Sequence, residues 1–308
     1  MSGIARRIVI NALKCGTVPQ HVGFIMDGNR RYGRKVHVGN GKGYYLGYET
    51  LEEILGVSME LGIKVVTVYA FSIENFKRPP DQVETLMQLA KDKLAELCEN
   101  SELVRQYGIA IRVLGDVSLL SPDVQEVVAR AVELTKCNNR AVLNMCFPYT
   151  SRDEMAMATR SLVEGIKTND LNLSDITTGV FESSLYTRSC PPMDILIRTS
   201  GEIRLSDFMC WQTSRACHVE FIDCYWPEFT FWKLLPILLR YQVRAKSIEE
   251  ARRRIEMLES QQRSPPESAL VAEVEASCEQ VLERQQRIRS FLTHRGHLPN
   301  CPLVHLQK

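Results

Sequence analysis

Residues 21–32 read His-Val-Gly-Phe-Ile-Met-Asp-Gly-Asn-Arg-Arg-Tyr (HVGFIMDGNRRY), and the fold class follows from that stretch. The apolar run 22–26 is too short for a helix and ends on turn residues, which is the pattern of a buried strand. Asp27, Gly28 and Asn29 make a turn, and Arg30, Arg31 and Tyr32 open the next helix. Short apolar runs return at 65–71, 109–114, 141–147 and 195–198, with longer helical stretches between them. Strands alternating with helices give an α/β fold with a mostly parallel central sheet flanked by helices. Helix starts are expected where Asp81 pairs with Glu84 and Ser151 with Glu154 as capping boxes, and where Ser121 precedes Pro122.

Flanking regions divide the chain into an N-terminal helix at 1–20, a central domain at 21–242 and a C-terminal helical extension with a tail at 243–308. The first helix places Ile4, Ile8, Val9, Ala12 and Leu13 on one face, which suits either a membrane surface or the helix's own domain. A long helix is expected from beyond Pro227 to about Glu259, broken by Ser264, Pro265 and Pro266. A second helix should follow, with Val271, Val274, Cys278, Val281, Ile288 and Leu292 in heptad spacing; an antiparallel pair would serve assembly or remain an intramolecular hairpin.

Composition narrows the function. The 308 residues are 44% hydrophobic and 24% charged, a globular profile, and 38 basic against 37 acidic residues leave a net charge of +1. A protein that neutralises many nucleic-acid phosphates would be far more basic, so no nucleic-acid partner is expected. The ten cysteines show no paired metal spacing and read as reduced, mostly buried thiols. No apolar run approaches the roughly 20 residues needed to span a bilayer, so membrane association would be peripheral.

Ligands of parallel α/β sheets bind beyond the carboxyl ends of the strands. There the chain sets Asp27, Gly28, Asn29, Arg30 and Arg31, then Ser72, Asn75 and Arg78, then Arg198, Arg204 and Ser206. Arginines after three separate strands in a neutral chain concentrate positive charge on a small polyanion. A carboxylate among phosphates needs a divalent cation between them, and one carboxylate with diphosphate oxygens is the usual way of holding Mg²⁺. Val83, Leu86, Ala90, Leu94 and Leu97 line either the core or an apolar tunnel. No phosphate loop of nucleotide hydrolases, dinucleotide fingerprint or nucleophile elbow is present.

Taken together, HVGFIMDGNRR (21–31), YAFSIENFKR (69–78), NMCFPYTSR (144–152), RTSGEIRLSDFMCWQ (198–212) and WPE (226–228) resemble the cis-prenyltransferase, or undecaprenyl diphosphate synthase, family over about residues 21–242. Within that family the wording is most similar to eukaryotic dehydrodolichyl diphosphate synthase catalytic subunits. The resemblance implies elongation of an allylic primer, farnesyl diphosphate, by isopentenyl diphosphate units to a long polyprenyl diphosphate for dolichol synthesis and protein glycosylation. It implies that Asp27 is the catalytic, Mg²⁺-linked carboxylate and that Gly28, Asn29, Arg30 and Arg31 cradle the allylic diphosphate. Asn75 and Ser72 would lie where the condensing unit loses its proton, and Arg78 would support the phosphate site. Arg198, Arg204 and Ser206 would hold isopentenyl diphosphate, and the growing chain would pass between 51–59 and 83–97.

The pattern departs from the family at three places. Tyr44 stands where many relatives have a histidine, Cys217 where single-subunit enzymes have a metal-binding glutamate, and no terminal R-x-G motif follows Trp226. Eukaryotic catalytic subunits share the last two gaps, which implies a partner similar to the Nogo-B receptor and a place on the cytosolic face of the endoplasmic reticulum. A self-sufficient homodimer with shorter products and a non-catalytic regulatory subunit are the alternatives.

Overall fold

The computed structural model describes residues 3–99, 101–261 and 274–295. In chain order the elements are α1 (Gly3–Lys14), β1 (His21–Ile25), α2 (Asn29–Lys35), α3 (Gly39–Leu61), β2 (Val65–Tyr69), α4 (Pro80–Glu99), α5 (Glu102–Tyr107), β3 (Ile109–Leu114), α6 (Pro122–Thr135) and β4 (Ala141–Cys146). They continue with α7 (Ser151–Lys167), α8 (Thr178–Glu182), β5 (Ile195–Arg198), α9 (Cys210–Ser214), β6 (His218–Phe221), α10 (Phe231–Gln261) and α11 (Val274–Arg295). The six strands form one sheet in the order β3-β4-β2-β1-β5-β6, and every pairing is parallel.

Strands β1, β3, β4 and β5 are buried along their whole length, as expected when both faces of a parallel sheet are covered. One face carries Val22, Phe24, Val66, Val68, Ile111, Val113, Leu143 and Ile197 into the main core with apolar side chains of α3, α4, α6 and α10. On the other face Ile25, Leu114, Cys146 and Leu196 meet Tyr149, Met193, Phe208 and Met209.

Strand β6 lay outside the expected pattern because His218, Val219, Glu220 and Phe221 alternate polar and apolar at the sheet edge. Helix α4 begins at Pro80, so Asp81 sits inside its first turn and is not its cap. Thr150, not Ser151, caps α7: its side chain accepts from the Asp153 amide, and Ser151 and Glu154 are buried within the helix. Ser121 does cap α6 with Pro122 following it, but without a side-chain hydrogen bond.

Helix α1 docks through Ile10 and Leu13, while Ile4 and Ile8 are exposed, so the expected single apolar face is split in two. Helix α11 does not pair with α10 through its described side chains. It packs on α7 and α8 through Phe291, which is buried with Leu162, Leu171 and Val180, while Arg284 and Arg287 reach Asp175 at 3.2 Å. Gly165 permits that docking, since a Cβ there would lie 2.5 Å from the Phe291 ring. The break at 264–266, Val271, and the side chains of Val274, Cys278 and Val281 lie outside the described residues. The described cysteines are all reduced, yet only Cys146 and Cys224 among them are buried.

Candidate active site

Strand β1 ends at Ile25, and Gly28, with φ of 103°, turns the chain into α2. A Cβ at Gly28 would lie 2.7 Å from the Tyr225 ring, so only glycine meets both the left-handed backbone and the close approach. The Asp27 backbone is held from two sides, its carbonyl accepting from the Trp226 amide at 2.9 Å and from Thr199 Oγ1 at 2.7 Å. Its carboxylate therefore projects from a fixed point.

Arginines from the strand ends converge on that carboxylate. Arg198 Nη2 donates to Asp27 Oδ2 at 2.9 Å, and Arg31 Nη2 and the Gly28 amide donate to Oδ1 at 3.3 and 2.7 Å. Arg31 also donates to Ser200 Oγ at 2.6 Å and to Glu202 at 3.1 Å, and Glu202 in turn pairs with Arg204. Arg198 Nη1 donates to Ser206 Oγ at 2.6 Å and to the Arg204 carbonyl at 2.5 Å. Burial pushes the Asp27 pKa up, but the hydrogen bond and charge of Arg198, with Arg31 and Ser200, outweigh it and hold the carboxyl below its ordinary range.

The loop carrying Ser206 adopts left-handed backbone at Ser206, Asp207 and Met209. Residues with a Cβ resist that conformation, and the start of α7 holds it in place. The Ser151 amide donates to the Asp207 carbonyl at 2.7 Å, Arg152 Nε to the Asp207 carboxylate at 2.8 Å, and the Cys210 amide to Ser151 Oγ at 2.9 Å.

After β2, Ser72 caps a 3₁₀ turn: its Oγ accepts from the Glu74 amide at 3.2 Å, and Asn75 Oδ1 accepts from the Ser72 amide at 3.2 Å. Arg30 donates to Gln82 at 3.0 Å. Arg78 is half-buried, and burial together with nearby Arg30 draws its pKa down, against Tyr44 and Asp27. Asn29 donates through Nδ2 to the Met26 carbonyl at 3.2 Å.

A single cavity of about 850 Å³ is lined by every one of the sequence-predicted site residues. Asp27, Gly28, Asn29, Arg30, Arg31, Ser72, Asn75, Arg78, Arg198, Arg204 and Ser206 supply its polar lining; Leu51, Phe71, Leu86, Ala90, Leu94, Met145 and Phe147 supply apolar walls. From the expected tunnel segments Leu51, Leu86, Leu89, Ala90, Lys93 and Leu94 reach it, while Ile54, Leu55 and Leu97 are core. Ser200 and Glu202 were not expected at the site: both accept from Arg31, and Glu202 ties it to Arg204; their place between two arginines on a glycine turn was the available signal. Among the described residues no three carboxylates, histidines or cysteines gather as a metal cage. An ionised carboxylate such as that of Asp27 is a donor that suits a hard dication whose other oxygens come from a ligand.

Residues 25–249 match the family described as "Putative undecaprenyl diphosphate synthase". The chain belongs to this prenyltransferase family. The prenyltransferase is 47% identical over 236 residues, 77% of this chain and 89% of the other, to a dehydrodolichyl diphosphate synthase complex subunit of Schizosaccharomyces pombe. It is 43% identical over 302 residues to the human dehydrodolichyl diphosphate synthase complex subunit, covering 93% of this chain and 90% of that one. Its fold is similar, with a TM-score of 0.67 at 29% identity over 73% of this chain and 95% of the other, to lavandulyl diphosphate synthase from Lavandula x intermedia in complex with dimethylallyl diphosphate.

Proposed function

We propose that this prenyltransferase is the catalytic subunit of a dehydrodolichyl diphosphate synthase, extending farnesyl diphosphate with isopentenyl diphosphate units, each added in cis, for dolichol synthesis. The observation that carries the reading is the cavity itself, which an arginine-ringed carboxylate and a set of apolar side chains line together. A diphosphate head with a long hydrocarbon tail matches both kinds of lining at once.

Arg30 and Arg31, at the start of α2, take the allylic diphosphate with the Gly28 and Asn29 backbone. Arg198, Arg204 and Ser206 take the isopentenyl diphosphate, and the Arg31–Glu202–Arg204 chain couples the two anion sites. The allylic C–O bond breaks with its electron pair leaving on the diphosphate, the isopentenyl double bond supplies the new C–C bond, and a proton leaves the neighbouring carbon. The guanidinium groups stabilise the departing charge without reorganising. Mg²⁺, when bound, adds Lewis-acid neutralisation of that diphosphate, with Asp27 as its protein ligand. Asn75 commits its amide oxygen to Ser72, so its Nδ2 group orients the condensing unit and is not a base.

A partner subunit and a membrane surface complete the reading. Strand β6 is a sheet edge, and beside it Phe221, Trp232, Leu239 and Val243 are exposed, the last three on one face of α10 by their spacing. This edge suits a non-catalytic, Nogo-B-receptor-like subunit, and similar chains are named as complex subunits. Among the described residues no helix is long and apolar enough to cross a membrane, and the exposed Ile4 and Ile8 of α1 suit peripheral contact with the cytosolic face of the endoplasmic reticulum.

The test is incorporation of radiolabelled isopentenyl diphosphate into a farnesyl primer with Mg²⁺, with and without the partner subunit. Asp27→Ala is expected to lower turnover by at least about 10³-fold while circular dichroism is unchanged. Undiminished turnover in that variant removes Asp27 from the mechanism.

A further inference from the structure

The sheet face opposite the main core carries a polar row in matching register. Thr67 on β2 stands beside Asn144 on β4, and Asn144 beside Arg112 on β3. Asn144 Nδ2 donates to Thr67 Oγ1 at 3.0 Å and to Cys190 Sγ at 3.3 Å, and Arg112 Nη1 reaches the same sulfur at 3.9 Å. Cys190 packs over Val65, Ala110 and Val142, is half-buried, and is reduced. None of these residues lines the cavity described above.

Arg112 is the anomaly. Its side chain is 1% exposed, it makes no ion pair among the described residues, and its Nε and Nη2 are buried without a hydrogen-bond partner. A guanidinium does not shed its proton in a protein, so a buried one requires an anion close by. The surrounding titratable groups do not provide it. His21, which continues the row through Thr67, is held neutral by burial, with its pKa lowered to about 4. The Cys146 thiol on β4 is pushed well up by burial and by Glu154, and Glu154 is engaged by Tyr149 and Gln212. Asp194 is taken by Arg252 and by the amides of Gln20 and His21.

The sulfur on which Asn144 Nδ2 and Arg112 Nη1 converge is the acceptor that the guanidinium reaches, and Asn144 Oδ1 beside it is neutral. We propose that Cys190 is ionised in the folded protein, as a thiolate paired with Arg112, and is a site of covalent modification by soft electrophiles and small disulfides. With a disulfide, the Cys190 sulfur forms a new S–S bond to one sulfur as the old bond breaks, and the other half leaves as a thiolate. With a haloacetamide, the S–C bond forms as halide leaves. The pairing lowers the thiol's proton affinity as guanidinium neighbours do elsewhere, and partial exposure admits small reagents.

The test is the pH dependence of iodoacetamide alkylation of the full chain from about pH 5.5 to 9, read peptide by peptide by mass spectrometry. The exposed thiols of Cys15 and Cys137 are the internal references. Cys190 is expected to titrate at least about one pH unit below both references, and the difference is expected to vanish in urea. Arg112→Met is expected to return the Cys190 midpoint to that of the references; if this variant does not fold, the native midpoint alone decides. A Cys190 midpoint at or above those of Cys15 and Cys137, or no alkylation of Cys190 while they react, overturns the proposal.

Discussion

His21 and Asp27, on β1 and in the loop behind it, are kept in opposite charge states by their surroundings. Neutral His21 donates from Nδ1 to the Pro191 carbonyl at 2.9 Å, and its Nε2 accepts from Thr67 at 2.7 Å, while Thr67 accepts from Asn144. A second ring proton would put a positive charge in a fully buried site, and that burial is what depresses the pKa. Because the folded pKa of about 4 lies below the ordinary value of 6.5, the unfolded state takes up the proton first on acidification. Stability is therefore expected to be fully present above about pH 6.5 and to fall by about 3 kcal/mol as the pH drops to 4, from this residue alone. Urea unfolding across that range checks it, and His21→Gln is expected to flatten the slope. Asp27 lies in the reverse case, ionised through the whole neutral range by Arg198 and Arg31. Arg204, mostly exposed and tied to Glu202, is expected to act on one substrate more than the other. Arg204→Ala should raise the KM for isopentenyl diphosphate about 10-fold or more, with a smaller change for the farnesyl primer. Equal rises would place it between the two sites.

At the scale of elements, helices are anchored where they carry the site and where they end. The first residues of α7 hold the 206–210 loop, so the position of Ser206 depends on a helix whose own share of the cavity lining is Arg152. At the far end of the same helix Gly165 makes room for Phe291 of α11. Truncating a buried phenylalanine costs about 3–5 kcal/mol when the site does not collapse. Phe291→Ala is expected to release α11 without unfolding the sheet, seen as faster amide hydrogen exchange confined to α11, α8 and the end of α7. Exchange rising equally in β1 and β4 would show that α11 supports the whole domain.

The whole molecule separates two surfaces. The carboxyl ends of β1, β2 and β5 open on the cavity, and the sheet's free β6 edge faces the other way in strand order, beside the apolar stripe of α10. Val243 is 85% exposed, an extreme for an aliphatic side chain. Val243→Glu is expected to leave the chain folded and to abolish association with the proposed non-catalytic subunit, as measured by sedimentation of the two together. Unchanged association moves the partner to another face.

The pattern of residues along the chain was enough for the sheet and for which polar side chains meet in the cavity. Strands buried on both faces are mostly apolar, and residues following such parallel strands gather at one end of the sheet, so the meeting of Asp27, Asn75 and Arg198 was legible in the sequence. Local rules failed where neighbours competed: Thr150 took the cap expected of Ser151, whose hydroxyl accepts from the Cys210 amide instead, and the half-exposed β6 had no apolar run to announce it. Tertiary structure alone decided which guanidinium meets which carboxylate, how α11 docks, and that Arg112 reaches a cysteine 78 residues away. Those outcomes depend on which chain segments packing brings within a few ångströms, and neither composition nor periodicity encodes that distance.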